Sequence, residues 1–320
     1  MSTLDLDHLL DTAMLFDRPE FDLSAYLTQV AQPEDYDLRE KIEMWRETGI
    51  VRFEGVVCPA EIDRLLLDIE RLCERRAEFD VEVELRGSQH RLADIDFDPL
   101  SDTGVKFNCL ENISLAAREL SLNQFVCSFL EHVFQDAPAV LQSLTLWRGS
   151  NQPAHTDYPY VRTQTKLSHL AASWIPLEDI HPDAGPLAYY PGSHKPELVP
   201  PFDWGKGSVV LEPDSSKSAA DLAPYLHGEL SRTGLSQQVF LPKKGDVLIW
   251  HGWLVHEGTV TRNPILTRKS YVTHYTSLGA YPEAHMYPEA FSKGRLTERN
   301  GGYVFDHPWV RDSRALPSWR

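Results

Sequence analysis

The order of its segment types limits this chain most. Up to about residue 135 the sequence reads as mainly helical, and after that point as a series of short β-type runs. These are LQSLTLWRG (141–149), LAASWIPL (170–177), GPLAYYPG (185–192), DVLIWHG (246–252) and KSYVTHYTS (269–277). Gly, Pro, Asn or Asp bounds them, as expected of short strands closed by turns. Several short strands without intervening helices point to a sandwich or jelly roll. Helices first and strands later, with no β–α–β alternation, argue against a doubly wound parallel sheet.

The upstream part carries one strong helix. In CPAEIDRLLLDIERLCERRAEF (58–79), Ile62, Leu65, Leu66, Ile69 and Leu72 recur at helical spacing, and Pro59 suits the first turn. GIVRFEGVV (49–57) is a short β-rich run before it, and SLAARELSLNQFVCSFLEHVFQ (114–135) reads as one or two helices. Residues 1–48 look polar and helical with breaks at Pro19 and Pro33, and 80–110 look charged and irregular. The chain thus divides into a mainly helical part (1–135), a strand-rich core (136–280) and a C-terminal extension (281–320). Within the core, residues 197–240 are rich in Pro, Ser and Gly, with a helix expected at 218–232. Long insertions of this kind often act as lids. Phe202, Trp204 and Tyr225 are its apolar candidates for closing on a substrate.

Charge removes one class of partner. The formal net charge is −16, which repels a polyanion and makes nucleic acid an unsuitable partner. A small anionic ligand remains compatible, because one buried Arg can hold a carboxylate whatever the net charge. No apolar run approaches a membrane span. The opening MSTLDLDHLLDTAMLFDRPE is acidic and lacks a basic region followed by an apolar core, so no signal peptide is expected. Cys58, Cys73, Cys109 and Cys127 form no CxxC pair and read as reduced thiols of a cytoplasmic protein.

Metal chemistry is suggested by HTDYPY (155–160). Side chains at i and i+2 share one face of a strand, so His155 and Asp157 can approach one ion together. A distant His then completes two nitrogens and one oxygen, the set used by non-haem Fe(II) oxygenases. A lone HxD is a weak signal. The second one, HPD at 181–183, carries Pro182 and reads as a loop. His251 and His256 in GDVLIWHGWLVHEGT are both candidates for the third ligand. Five residues apart, they would face opposite sides of one continuous strand, and periodicity does not choose between them.

Four segments, GSNQPAHTDYPYV, SWIPLEDIHPDAGPLAYYPGSHK, KKGDVLIWHGWLVHEG and the later Arg268, resemble the phytanoyl-CoA dioxygenase family of Fe(II)/2-oxoglutarate oxygenases. GIVRFEGVVCPAEIDRLLLDIE resembles that family's opening strand and helix, so the resemblance runs from about 49 to 277. It implies a double-stranded β-helix, a cupin-like jelly roll flanked by helices, within one catalytic domain spanning 1–320. It implies His155, Asp157 and His256 as ligands of Fe(II), with His251 in a supporting place. Arg268 would anchor the far carboxylate of the co-substrate 2-oxoglutarate, with Trp174 beside it and Thr259 supplying a hydroxyl. Arg262, in the TRNP turn, is the rival anchor. The implied reaction consumes O2 and hydroxylates a small molecule such as a secondary metabolite, amino acid, sugar or acyl derivative. The competing reading is a non-catalytic jelly roll that binds a metal or ligand. Tyr158, Tyr160 and Arg162, just after the HxD, are candidates for lining the substrate pocket, together with Trp204.

Overall fold

The computed structural model describes residues 13–79, 81–85, 87–102, 104–163, 165–282, 297–305 and 316–319. Most of the 281–320 extension and the first twelve residues lie outside these. Two short helices open the described chain, α1 (Leu23–Leu27) and α2 (Leu38–Thr48), followed by strand β1 (Ile50–Phe53). Asp22 and Asp37 cap the two helices by accepting from Ala25 N and Glu40 N. Gly49 ends α2 at φ +77°, the left-handed geometry that glycine adopts without strain.

Helix α3 (Pro59–Glu74) forms where the apolar spacing placed it, with Pro59 in its first turn. Ile62, Leu65, Ile69 and Leu72 are fully buried, each worth ~2 kcal/mol of burial. The 114–135 segment is two helices, α4 (Leu115–Ser121) and α5 (Gln124–Phe134), divided where Asn123 caps the second.

Strand order follows from alternation. A ten-stranded sheet runs β1–β9–β6–β11–β5–β4–β2–β3, with β12 and β13 attached through β5. Here β2 is Glu82–Leu85, β3 Ser88–Arg91, β4 Val105–Asn108, β5 Pro138–Leu146 and β6 Ala171–Pro176. Further along, β9 is Val247–His251, β11 Ser270–Ser277, β12 Thr297–Arg299 and β13 Gly302–Val304. Its pairings are antiparallel except one between β13 and β5. The β2–β3 hairpin, and β4 paired to β2, stand where the sequence suggested irregular chain. All four residues of β3 are exposed and polar, so no apolar alternation marked it.

A smaller sheet runs β10–β7–β8, from His256–Gly258, Leu187–Tyr189 and Gln238–Val239. The large sheet has two apolar faces, as the period of two requires. Val51, Phe53, Ala171, Ile175, Val247, Ile249, Tyr271 and Tyr275 pack outward against the helices. Ile50, Ala172, Trp174, Leu248, Trp250 and Val272 pack inward against Leu187 and Tyr189 of the small sheet. Two facing antiparallel sheets with helices outside one of them are the expected jelly roll.

Residues 197–240, expected as a lid insertion, contain one helix and a buried apolar cluster. Helix α6 (Ala219–Thr233) lies close to its expected place, capped by a Ser218/Asp221 box. Leu222, Leu226 and Leu230 bury with Phe202 and Trp204 against Ala154, Tyr190 and Val255. The segment is therefore a packed layer behind the small sheet. No helix among the described residues is long and apolar enough to cross a membrane.

Candidate metal centre

Backbone pairing brings the candidate ligands together. His155 and His256 exchange two N–H···O bonds of 3.0 Å, an antiparallel bridge that extends the small sheet. Asp157 N and Tyr158 N both donate to Gly252 O, at 3.0 and 3.3 Å. On its other side Gly252 lets Leu170 pack closely, since a Cβ there would stand 2.7 Å from Leu170 Cγ. One side-chain ligand atom from each of His155, Asp157 and His256 then falls within 4.8 Å of the others. Asp157 Oδ1 lies 3.9 Å from His155 Nε2 and 3.5 Å from His256 Nε2.

Hydrogen bonds fix which atoms face the centre. His155 Nδ1 donates to Pro153 O at 2.8 Å and His256 Nδ1 to Leu254 O at 3.0 Å. A carbonyl only accepts, so each Nδ1 carries the proton and each Nε2 presents a lone pair. The Gln152 amide meets His155 Nε2 at 3.0 Å. Asp157 Oδ2 accepts from Trp250 Nε1 at 2.7 Å, and His274 Nε2 lies 3.6 Å from it. Oδ1 is thus the oxygen left for an ion. Gln142 Nε2 in turn approaches His274 Nδ1 at 3.4 Å.

The electrostatics suit a cation. Burial, with His256 adjacent, pushes His155 down to about 3, so its imidazole is neutral near pH 7. Burial alone would raise the Asp157 carboxyl, but His256, His274 and His155 hold it well below the ordinary carboxylate range. Two imidazoles, each with its Nε2 lone pair presented, and one carboxylate form a donor set for a divalent transition metal. Among the described residues this is the one cluster of such side chains with metal-site spacing.

His251 is placed elsewhere. Its Nδ1 accepts from Trp253 N at 3.0 Å, and its Nε2 donates to Asp17 Oδ2 at 3.1 Å. Strand β9 ends at His251 and β10 begins at His256, so the turn between them separates the two rings. His181 and Asp183 lie in an exposed loop, as expected.

Arg268 is 2 % exposed, and its Nε has no hydrogen-bond partner. Burial lowers its guanidinium to about 10. Its Cζ stands 5.7 Å from the Trp174 ring centroid. Arg262 has a 78 % exposed side chain and lies 3.9 Å from Asp183.

Five other candidates have the following surroundings. Thr259 donates its hydroxyl to Pro186 O at 2.8 Å, leaving no proton for a carboxylate. Arg162 pairs with Glu212 at 2.6 Å. Trp204 is fully buried in the insertion's cluster, with Tyr160 edge-on at 5.9 Å. Tyr158 is 3 % exposed against Trp253, its hydroxyl bonded to the Phe202 backbone and Thr156. Arg162, Trp204, Tyr160 and Tyr158 tie the HxD loop to the 197–240 layer.

Sequence reasoning missed Trp250 and His274 behind Asp157. The signal for Trp250 was parity: on β9 it faces opposite to His251.

Comparison with known proteins agrees with this architecture. The family model described as Phytanoyl-CoA dioxygenase (PhyH) matches residues 45–270. A curated relative from Caenorhabditis briggsae, named phytanoyl-CoA dioxygenase domain-containing protein 1 homolog, is 21 % identical over 149 residues. That match covers 44 % of this chain and 47 % of the relative, so the chain spans about half the length of the curated protein it matches. EctD from S. alaskensis, solved with bound Fe, superposes with a TM-score of 0.57 at 15 % identity, over 90 % of this chain and 88 % of EctD. The non-heme alpha ketoglutarate dependent epimerase SnoN from nogalamycin biosynthesis gives 0.54 at 16 % identity, over 75 % and 83 %. At these identities the two structures share the fold.

Proposed function

The chain belongs to the phytanoyl-CoA dioxygenase family, and from that premise we propose that it is a non-haem Fe(II)/2-oxoglutarate-dependent dioxygenase. The proposed reaction hydroxylates an unactivated C–H bond of a small molecule, drawn from secondary metabolites, amino acids, sugars or acyl derivatives. The observation that carries the reading is the buried, unpaired guanidinium of Arg268 in the same roll as the His155–Asp157–His256 cluster. A jelly roll that only binds a metal needs no such cation. A buried Arg without a counterion is costly, and a carboxylate ligand relieves that cost.

Bound iron and 2-oxoglutarate would supply the oxidising power, with O2 consumed and succinate and CO2 released. The protein's share is positioning. His155 and His256 offer Nε2, with the Pro153 and Leu254 carbonyls fixing the tautomers. Asp157 offers Oδ1 while Trp250 occupies Oδ2. Arg268 takes the far carboxylate across the face of Trp174. Asp157 also stands where a halogenating relative needs a halide, which disfavours that chemistry.

The experiment is succinate formation from 2-oxoglutarate with Fe(II) and O2. The wild type should turn over, slowly even without its substrate, and Asp157→Ala should not. Metal binding without any succinate, across a panel of the four substrate classes, would favour the non-catalytic reading.

A further inference from the structure

The two oxygens of Asp157 meet two different kinds of nitrogen. Oδ1 faces His155 Nε2 at 3.9 Å and His256 Nε2 at 3.5 Å, the nitrogens that present lone pairs. Oδ2 faces Trp250 Nε1 at 2.7 Å and His274 Nε2 at 3.6 Å. Sheet register builds this second side. His274 pairs with Gln142 of β5 on one side and Ala172 of β6 on the other, and Ala172 pairs in turn with Trp250 of β9. Gln142, His274, Ala172 and Trp250 therefore form one row across four strands. Ala172 and Trp250 belong to the inner cluster, so the row lies on the inner face. His274 and Trp250 stand two strands apart, roughly 9.6 Å between backbones. The single methyl of Ala172 leaves the space between them in which Oδ2 meets both. Just past the row the β11–β5 register shifts between His274 and Tyr275, with Leu141 left unpaired. Bulges of this kind are enriched beside functional sites, where they re-aim side chains.

Gln142 decides which His274 nitrogen carries the proton. Its Nε2 lies 3.4 Å from His274 Nδ1. An amide nitrogen only donates, so Nδ1 accepts and the proton sits on Nε2, facing Asp157. The reversed amide would put the proton on Nδ1 and set a lone pair against the carboxylate. We propose that His274 is a positioning residue of the metal centre: with its tautomer set by Gln142, it joins Trp250 in holding Asp157 Oδ2 off the ion, so that the carboxylate binds through Oδ1 alone. This rests on reading the cluster as a metal centre and not on the identity of a co-substrate. At 3.6 Å the His274 contact is longer than a hydrogen bond, so its N–H acts as a positive end near Oδ2, beside the full bond from Trp250. A carboxylate free to turn can give an ion both oxygens. The second oxygen would then fill a position that an oxygenase of this ligand set keeps open.

The test is anaerobic titration of the metal-free full chain with Co(II). It is read by calorimetry and by the visible absorption of the bound ion, which responds to the number of oxygens on it. His274→Phe keeps a ring and removes the N–H. It should weaken Co(II) about tenfold, the low end for a residue behind a metal ligand, and change the visible spectrum. His274→Gln returns an amide N–H and should recover both readouts. Gln142→Met leaves the His274 ring in place and frees its tautomer. It should weaken Co(II) about threefold, as for one modest hydrogen bond, with a smaller spectral change of the same kind. Val272→Ala is the packing control. Val272 is 7 % exposed in the same inner cluster, and its loss should lower Tm with Kd and spectrum unchanged. A His274→Phe protein that melts earlier yet keeps the wild-type Kd and spectrum would overturn the proposal. So would a His274→Gln protein no better than His274→Phe. If His274→Phe fails to fold, Gln142→Met decides, and wild-type Kd and spectrum there overturn the proposal. A wild type that binds no Co(II) refutes the metal reading first and the proposal with it, whereas binding that His274→Phe leaves unchanged refutes the proposal alone.

Discussion

Replacing Trp250 by Phe removes the indole N–H that holds Asp157 Oδ2 at 2.7 Å. Asp157 is 5 % exposed, so no bulk water replaces the donor. A hydrogen bond to a buried charged group is worth ~1.5–3 kcal/mol. Part of that is lost from the metal-free fold, because the bond exists without the ion. The remainder falls on metal affinity, since the freed carboxylate can turn and no longer presents Oδ1 alone. Residues behind metal ligands typically change affinity about 10–100-fold, and that is the expected rise in Kd. Trp250 is also 3 % exposed within the inner cluster, so the smaller ring will lower thermal stability in any case. Leu248→Ala provides the control. Leu248 is 1 % exposed on the same strand and in the same cluster, but it offers Asp157 no hydrogen bond. It should lower Tm and leave metal Kd unchanged. The assay is anaerobic titration of metal-free protein with Fe(II) or Co(II), beside thermal melts. A Trp250→Phe protein that melts earlier yet binds metal like the wild type would refute the argument, and the indole would then be packing alone.

His155→Ala, Asp157→Ala and His256→Ala should each abolish tight metal binding in the same titration, with circular dichroism retained. His251→Ala should bind metal normally and melt earlier, because it breaks the bonds to Asp17 and Trp253 N and none to the three ligands. Arg268→Ala should raise the KM for 2-oxoglutarate about a hundredfold, as expected for a desolvated charge pair, and Arg262→Ala, 78 % exposed, should leave it unchanged in the same steady-state assay. Replacing 203–232 with a short Gly/Ser linker should weaken metal binding, because Ala154 and Val255, next to His155 and His256, lose their backing; unchanged metal Kd with lost substrate oxidation would favour the mobile-lid role. Burial, with His251 adjacent, pushes His194 from 6.5 down to about 3, so between those values the unfolded chain binds a proton that the folded chain refuses. That stability is present above about pH 6.5 and is lost as pH falls, by ~2 kcal/mol at pH 5; melts of metal-free protein should show the decline, and His194→Gln should reduce it while leaving the share of His155.

The features legible in the sequence were those set by local period. Apolar spacing marked α3, and turn residues bounded β1, β5, β6, β7, β9 and β11. The HxD was legible for the same reason, because i and i+2 share a face. Strand β3 was not, since SQHR is polar on both faces and pairs at the sheet edge. At 197–240, Pro and Gly suggested a hinged loop. Leu222, Leu226 and Leu230 still recur every four residues there, a readable helical stripe. What could not be read was its target, because Ala154 and Val255 are distant in sequence.

Parity explains why the third ligand stayed open at the sequence level and what decided it. Five residues separate His251 from His256, and a continuous strand would set them on opposite faces. The chain instead turns at Gly252–Val255, ending one strand and starting another in the second sheet. Each His is then assigned by its partner. Asp17, 234 residues before His251, takes that ring, and the HxD strand takes the other through its backbone. Trp250 reaches Asp157 across 93 residues. Ligand types follow from local sequence, but the hydrogen bonds that choose tautomer, carboxylate oxygen and third ligand are long-range contacts fixed by sheet register. A substitution that shifted β9 by one residue would present His251 inward and carry Trp250 away from Asp157. The metal centre therefore depends on the register of β9 against β1 and β6 as much as on its three ligands.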